Sequence, residues 1–453
     1  MAHRRARRIL PPTLLGLAIV VLSVGLRISD HPGLERVRNR LEWVAFDWRT
    51  RATLDRHVEK DPRVVIVDID ERSLREQGHW PWPRPKVAAL LDRLGEAGAA
   101  VIGLDMVFAE PEANPAEQVA EGLEAMKAQG RKGLPGPQTE TMLEQLRGLA
   151  EQLDGDRVLA ESLAANPVML GYVFTFSDAS VGLLPRPLGE ATQEIRALGL
   201  PELPHYSANL PLLQTNAAGG GYLTVEGGDE DGVIRRVPLL NVYGDGLYGL
   251  LALEVARLYL DMPPVELRIE QFYRDRALEA ISLGGFIEIP TDSRGQVLVP
   301  YRGPQGSFPY VSATDVLAER VDRGVLDGAI ALVGTSAKGL FDQRSTPVQN
   351  VFPGVEIHAN VIAGILDDRF PYKPPWADGA DVSLMVLLGL LLALIFPRLH
   401  ALGLAVSSLV VTGLYVGVNT WVWAEEGLAL TVAQPVLMVA ILATLNMTYG
   451  FLA

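Results

Sequence analysis

Residues 63–71, Arg-Val-Val-Ile-Val-Asp-Ile-Asp-Glu, form a run of β-branched side chains that ends in carboxylates. Such a run reads as a strand. After Gly-His-Trp-Pro-Trp-Pro-Arg-Pro (78–85), the stretch KVAALLDRLGEAG (86–98) carries apolar residues at helical spacing, and AAVIGLDMVF (99–108) is a second apolar run with Asp105 near its end. Strand, turn, helix and strand make one βαβ unit. Both strands are nearly continuous in apolar residues, as expected when helices cover both faces of a parallel sheet, and both place acids at the carboxyl end, where such sheets bind ligands. The expected fold class is α/β: a mixed, largely parallel sheet with helices on both faces.

Working outward, the chain has 453 residues, 48% of them hydrophobic, enough for one large domain plus membrane segments. It has no cysteine, so no disulfide can form. A net charge of −14 argues against a nucleic-acid partner, which needs clustered Lys and Arg to neutralise phosphates. The basic cluster Arg4, Arg5, Arg7 and Arg8 lies in residues 1–8, ahead of an apolar stretch at 9–28. Roughly 20 apolar residues span a bilayer and positive flanks stay in the cytoplasm. An uncleaved anchor is expected here, entering from the cytoplasm.

Three more apolar segments follow at 381–397, 401–422 and 428–453. The connector Pro397-Arg398-Leu399-His400 is basic, whereas the next one carries Glu425 and Glu426. The charges place residues 29–380 outside and return the carboxyl end to the cytoplasm. No charged residue interrupts the membrane cores, which argues against an ion pathway. Gly413 and Gly417 form a G-x-x-x-G pair suited to helix contact.

Within the exterior region, 41–54 reads as an amphipathic helix, and residues 110–156 form a polar insertion with helical patterns at 116–129 and 139–153. Asp229, Asp231 and Gly232 fit a hairpin turn better than a calcium loop, which needs a further acid in register and a distal Glu. Asp68 and Asp70, two apart, share a face if the strand continues; Asp105 ends the second strand, and Asp342 follows the turn Gly334-Thr335-Ser336-Ala337-Lys338-Gly339. Together these four carboxylates could line an oxygen-rich pocket for calcium or magnesium. The alternative is that they cap helices or pair with Arg72, Arg84 and Arg344. Trp80, Trp82, Arg84, Ser336 and His358 are further candidates for facing a ligand, against packing or turn formation. The seven histidines are dispersed, and no catalytic constellation is present.

Several blocks, taken in order, carry a resemblance. They are Asp68-Ile69-Asp70-Glu71-Arg72-Ser73-Leu74, Gly78 to Arg84, Gly103 to Phe108, Asp231 to Leu239, Leu332 to Ala337, and Gly354-Val355-Glu356-Ile357-His358-Ala359-Asn360. Together they resemble the CHASE sensory domain of the second type, from about Glu42 to Asp367, with the three helices that usually follow it. The resemblance implies an extracytoplasmic input module of a receptor in the bacterial inner membrane, acting as a homodimer and responding to an unidentified ligand. It also implies a cytoplasmic output domain beyond Ala453. A class III adenylate or guanylate cyclase is the first expectation; a histidine kinase, serine/threonine kinase or diguanylate cyclase is the alternative. A membrane-anchored exterior binding or metal-dependent domain without output is the remaining reading.

Overall fold

The computed structural model describes residues 2–29, 31–54, 60–128, 136–223, 228–272, 275–337 and 343–452. Its centre is a seven-stranded sheet: β1 (Val64–Asp68), β2 (Val101–Leu104), β3 (Val168–Thr175), β4 (His205–Ser207), β5 (Gly219–Tyr222), β6 (Tyr310–Ser312) and β7 (Ile330–Gly334). The spatial order is β6-β1-β7-β2-β3-β4, with β5 also on β3; every pairing is parallel except β3 with β4. The sheet is therefore mixed and largely parallel.

All five residues of β1 are buried, and the strand's two-residue period divides them between two cores. Val64 and Ile66 face a core shared with helices at Leu251–Tyr259 and Gly354–Leu366. Val65 and Val67 face a second core built from helices at Arg84–Glu96, Gly155–Ala165 and Ala313–Leu317. Burying each Val or Ile contributes roughly 1.5–3 kcal/mol. That double burial is why the strand has no polar alternation.

The helices are labelled in chain order: α1 (Ala2–Ile28), α2 (Pro32–Thr53), α3 (Glu71–Gln77), α4 (Arg84–Glu96), α5 (Pro115–Ala128), α6 (Gly136–Gln152), α7 (Gly155–Ala165), α8 (Leu251–Tyr259), α9 (Ala313–Leu317), α10 (Gly354–Leu366), α11 (Ala377–Ile395), α12 (Ala401–Glu426) and α13 (Ala433–Leu452). The polar insertion is the hairpin α5–α6. It is tied across by Asn114 Nδ2 to the Ala150 carbonyl at 2.8 Å and by the Arg147–Glu124 ion pair.

Among the described residues, four helices are long and apolar enough to cross a membrane, over Pro11–Ile28, Ala377–Arg398, Ala401–Glu426 and Ala433–Phe451. Three of them, α1, α11 and α13, close around Val20, Met385, Met438 and Leu442. A Cβ at Gly389 would lie 2.7 Å from Val20, and one at Gly16 would lie 3.1 Å from the Ala393 Cβ, so these two glycines let the helices approach. The sequence had pointed instead to Gly413 and Gly417. A Cβ at either meets no atom within 4 Å among the described residues, so neither is packed against another helix there.

Candidate functional site

At the carboxyl edge of the sheet, β1 and β2 are not neighbours. β7 lies between them and pairs with both. Two inter-strand spacings, roughly 10 Å, thus separate the strands that end at Asp68 and Asp105. Asp68 is 8% exposed; its carboxylate accepts hydrogen bonds from the backbone N–H of Ser336, at 2.8 Å, and from the Ser336 hydroxyl. Burial raises its pKa to about 6, against the lowering effect of those bonds.

Asp70 does not continue the strand and shares no face with Asp68. It is the N-cap of α3, accepting from Ser73 N at 2.7 Å, and also takes the Ser312 hydroxyl at 2.9 Å. Asp342 lies outside the described residues, as does Lys338. Among the described residues no three His, Asp or Glu side chains gather as a metal ligand set. What the edge holds is a network that fastens the loop after β7 to β1.

The Trp80–Arg84 run packs inward. Trp82 is 2% exposed and donates its Nε1–H to the Gly78 carbonyl at 2.9 Å, with the half-buried Trp80 tilted against it. Arg84 lies 4.5 Å over the Phe108 ring, bonds Asp156 at 3.1 Å, and roots the insertion hairpin on the domain. His358, on α10, sits inside the core rather than on a helix surface. Desolvation lowers its pKa to about 4, opposed by a hydrogen bond with the Leu223 backbone.

A second site escaped the sequence reading altogether. Helix α2 lies between the α/β domain and the membrane helices, and two stripes of its surface serve the two sides. Glu42, Phe46, Arg49 and Thr53 follow i, i+4, i+7 and i+11 and share one face. Glu42 accepts the N–H groups of Val432 and Ala433, at 2.8 and 2.9 Å, at the start of α13, where a carboxylate also meets the positive end of the helix dipole. Arg49, 2% exposed, donates to Asn419 on α12 and to the Leu430 carbonyl, and stacks 4.3 Å over Trp423. Desolvation lowers its pKa to about 10.

The neighbouring stripe, Trp43 and Asp47, faces the domain. Asp47 pairs with Arg235, and Arg235 lies 5.2 Å over the Trp43 ring. Arg235 is 2% exposed and also bonds Asp229 and Asp231, so both aspartates of the DEDG turn are occupied by it. Burial works against its charge, yet the three carboxylates outweigh that and raise its pKa. Below α2, Asp381 of α11 accepts from Thr431 and faces Arg27 of α1 at 3.6 Å. Charged and aromatic residues between 42 and 49 were the available signal; their partners, nearly 200 and nearly 400 residues away, were not visible from sequence.

An α/β domain inserted between four candidate membrane helices, and joined to them through α2 by the Asp47–Arg235 ion pair on one side and hydrogen bonds of Glu42 and Arg49 on the other, is the extramembrane part of a multi-pass membrane protein. Residues 16–395 match the CHASE2 domain, and the chain belongs to that family. CHASE2 domains are extracellular sensor domains of signalling receptors. No curated protein and no solved structure matches the chain.

Proposed function

We propose that this chain is the input half of a receptor in the bacterial inner membrane. The α/β domain, residues 29–380, lies outside the cytoplasm and biases the arrangement of the membrane helices, which relay the bias to a cytoplasmic output domain. A class III adenylate cyclase is the favoured output, with a histidine or serine/threonine kinase as the alternative, both on family grounds. The observation that supports a relay is α2: Asp47 holds the domain through Arg235, and Glu42 and Arg49 hold the start of α13. A shift of the 229–235 turn is thereby coupled to the helix nearest the output. The active form is a homodimer meeting along the open face of α12 that carries Gly413 and Gly417.

The chain's lack of cysteine allows a direct test. Single cysteines in the α/β domain should react with a membrane-impermeant maleimide in intact spheroplasts; protection there until lysis rejects the exterior placement. Paired cysteines near the cytoplasmic ends of α11 and α13 should change cross-linking yield when Asp47→Asn cuts the strap. An unchanged yield rejects the relay.

A further inference from the structure

Helix α2 has a third surface, which meets neither the membrane helices nor the α/β domain. Leu34, Val37, Leu41, Val44 and Trp48 recur at alternating steps of three and four residues, which sets them in one stripe along the helix. Each is between 41% and 69% exposed, so five large apolar side chains stand in a row largely uncovered among the described residues. A contiguous apolar stripe on a folded surface marks a contact with lipid or protein.

The order of side chains around the helix says what surrounds it. At 3.6 residues per turn the apolar stripe lies about 130° from the Glu42, Phe46, Arg49 and Thr53 face and about 120° from the Trp43 and Asp47 face. Arg40 and Arg51 lie between the domain-facing stripe and the apolar one, with Arg36 one turn before Arg40. All three arginines are exposed. Arg36 and Arg51 each donate Nε–H to a carbonyl of α2 itself, at 3.3 and 3.1 Å, and none of the three meets a carboxylate among the described residues.

The depth of the helix is set by its partners. Arg49 bonds Asn419, seven residues before the end of α12, and Glu42 bonds the N–H of Ala433, the first residue of α13. Both partners are candidate membrane spans, so α2 runs alongside their domain-side ends, and at Arg49 it lies about 10 Å below the end of α12. Exposed tryptophans mark the same level. Trp376, just ahead of α11, is 58% exposed and Trp421 of α12 is 61% exposed, as Trp48 of α2 is at 51%. Indole rings concentrate at the boundary between hydrocarbon and headgroups.

A second copy of α2 is a poor match for this stripe. With Leu34 and Val37 as the a and d positions of a heptad, the flanking e and g positions include Gly33, Arg38, Arg40 and Ala45. A parallel pair would set Arg38 against Gly33 and Arg40 against Ala45, with no opposite charge across the seam. Lipid phosphates supply that charge.

We propose that α2 is an interfacial helix whose apolar stripe enters the leaflet next to the α/β domain while Arg36, Arg40 and Arg51 bind the phosphates of anionic phospholipids. The inference rests on the membrane-crossing reading of α1, α11, α12 and α13. One orientation satisfies every face: the stripe among acyl chains, the arginines at phosphate level, and Trp43 and Asp47 beyond them under the domain. The helix that carries the strap is thereby also a helix that touches lipid.

The test uses the whole chain, which has no native cysteine, in phosphatidylcholine nanodiscs with a bimane probe at Val44→Cys. Phosphatidylcholine spin-labelled near the top of its acyl chain should quench this probe and leave one at Glu161→Cys, on α7, bright. Spin-labelled phosphatidylglycerol at the same content should quench Val44→Cys about twofold or more strongly. That excess should vanish in the triple variant Arg36→Gln, Arg40→Gln, Arg51→Gln, whose side chains are all exposed. A probe at Val44→Cys that stays bright while one at Leu387→Cys, on α11, is quenched overturns the interfacial helix. Disulfide formation between Val44→Cys chains in place of quenching gives the stripe to a second copy and overturns it too. Equal quenching by the two lipids, or an excess that survives the triple variant, overturns the phosphate site. Absence of quenching at Leu387→Cys overturns the membrane-crossing reading itself.

Discussion

Asp47 and Arg235 meet as a bidentate pair across the junction of α2 and the α/β domain, with Oδ1 to Nε at 2.7 Å and Oδ2 to Nη2 at 2.8 Å. The guanidinium is nearly sealed from solvent, so the pair cannot be exchanged for water without moving the helix. Asp47→Asn weakens both bonds while Asp229 and Asp231 remain, and the expected loss is about 1.5–3 kcal/mol of stability. A double-mutant cycle with Arg235→Met in detergent melts checks it. Additivity within a few tenths of a kcal/mol would show that the two side chains do not couple.

Glu42 holds two otherwise free N–H groups at the start of α13. Glu42→Ala removes both bonds and the charge at the helix terminus, at a cost of about 2 kcal/mol. Amide hydrogen exchange at Val432 and Ala433 should accelerate first, ahead of the sheet. Uniform acceleration over the whole chain would contradict a local role.

His358 has its pKa lowered from 6.5 to about 4. The folded protein keeps it neutral while the unfolded chain protonates it, so its contribution is intact above pH 6.5 and is lost as pH falls toward 4. Two and a half units correspond to about 3 kcal/mol across that window. Thermal melts of His358→Gln should be flatter than the parent's between those limits. Parallel curves would show that His358 does not titrate there.

Asp68 carries the opposite sign. Its pKa rises from 3.8 to about 6, so the folded state binds the proton more tightly and stability falls as pH rises through that window. Asp68→Asn retains an acceptor for Ser336 N and should gain about 1–3 kcal/mol above pH 6, with no gain below pH 4. A loss at neutral pH would mean the ionised carboxylate is needed, for instance by a bound cation.

Gly413 and Gly417 face open space, whereas Gly389 sits against Val20. Gly417→Leu should leave the monomer's melting temperature within about a degree and reduce the dimer fraction in sedimentation, because a bulky side chain holds apart helices that a glycine lets approach closely. Gly389→Leu should lower the melting temperature itself. A dimer unaffected by Gly417→Leu would remove α12 as the interface.

The parts of this architecture legible from sequence were those written in contiguous stretches. Uninterrupted Val and Ile at 64–67 could only be a strand buried on both faces, and the apolar helices declared themselves by length. The insertion hairpin was visible in its polar periodicity. What the sequence hid was non-local. The insertion of β7 between β1 and β2 depends on pairing Ile330–Gly334 with a strand 266 residues earlier, and that spacing separated Asp68 from Asp105. The two faces of α2 were hidden for a similar reason. Trp43, Phe46 and Trp48 are too close together to lie on one narrow stripe, because the helix serves two different surfaces and leaves Trp48 half exposed. Nor could sequence tell which glycines pack, since Gly389 and Gly417 have equally apolar surroundings.

Arg27, at the end of α1, is paired with Asp378, at the start of α11. The polypeptide thus leaves the bilayer and re-enters it at adjacent points, with the whole sheet lying between them. Chains whose entry and exit adjoin tolerate exchange of what lies between. With α2 retained beside the membrane helices, recombination could swap the rest of this domain as a cassette, provided the incoming domain offered a buried cation to Asp47. The acidic residue on α2, rather than the sheet, is then the socket that decides which domains can be plugged in.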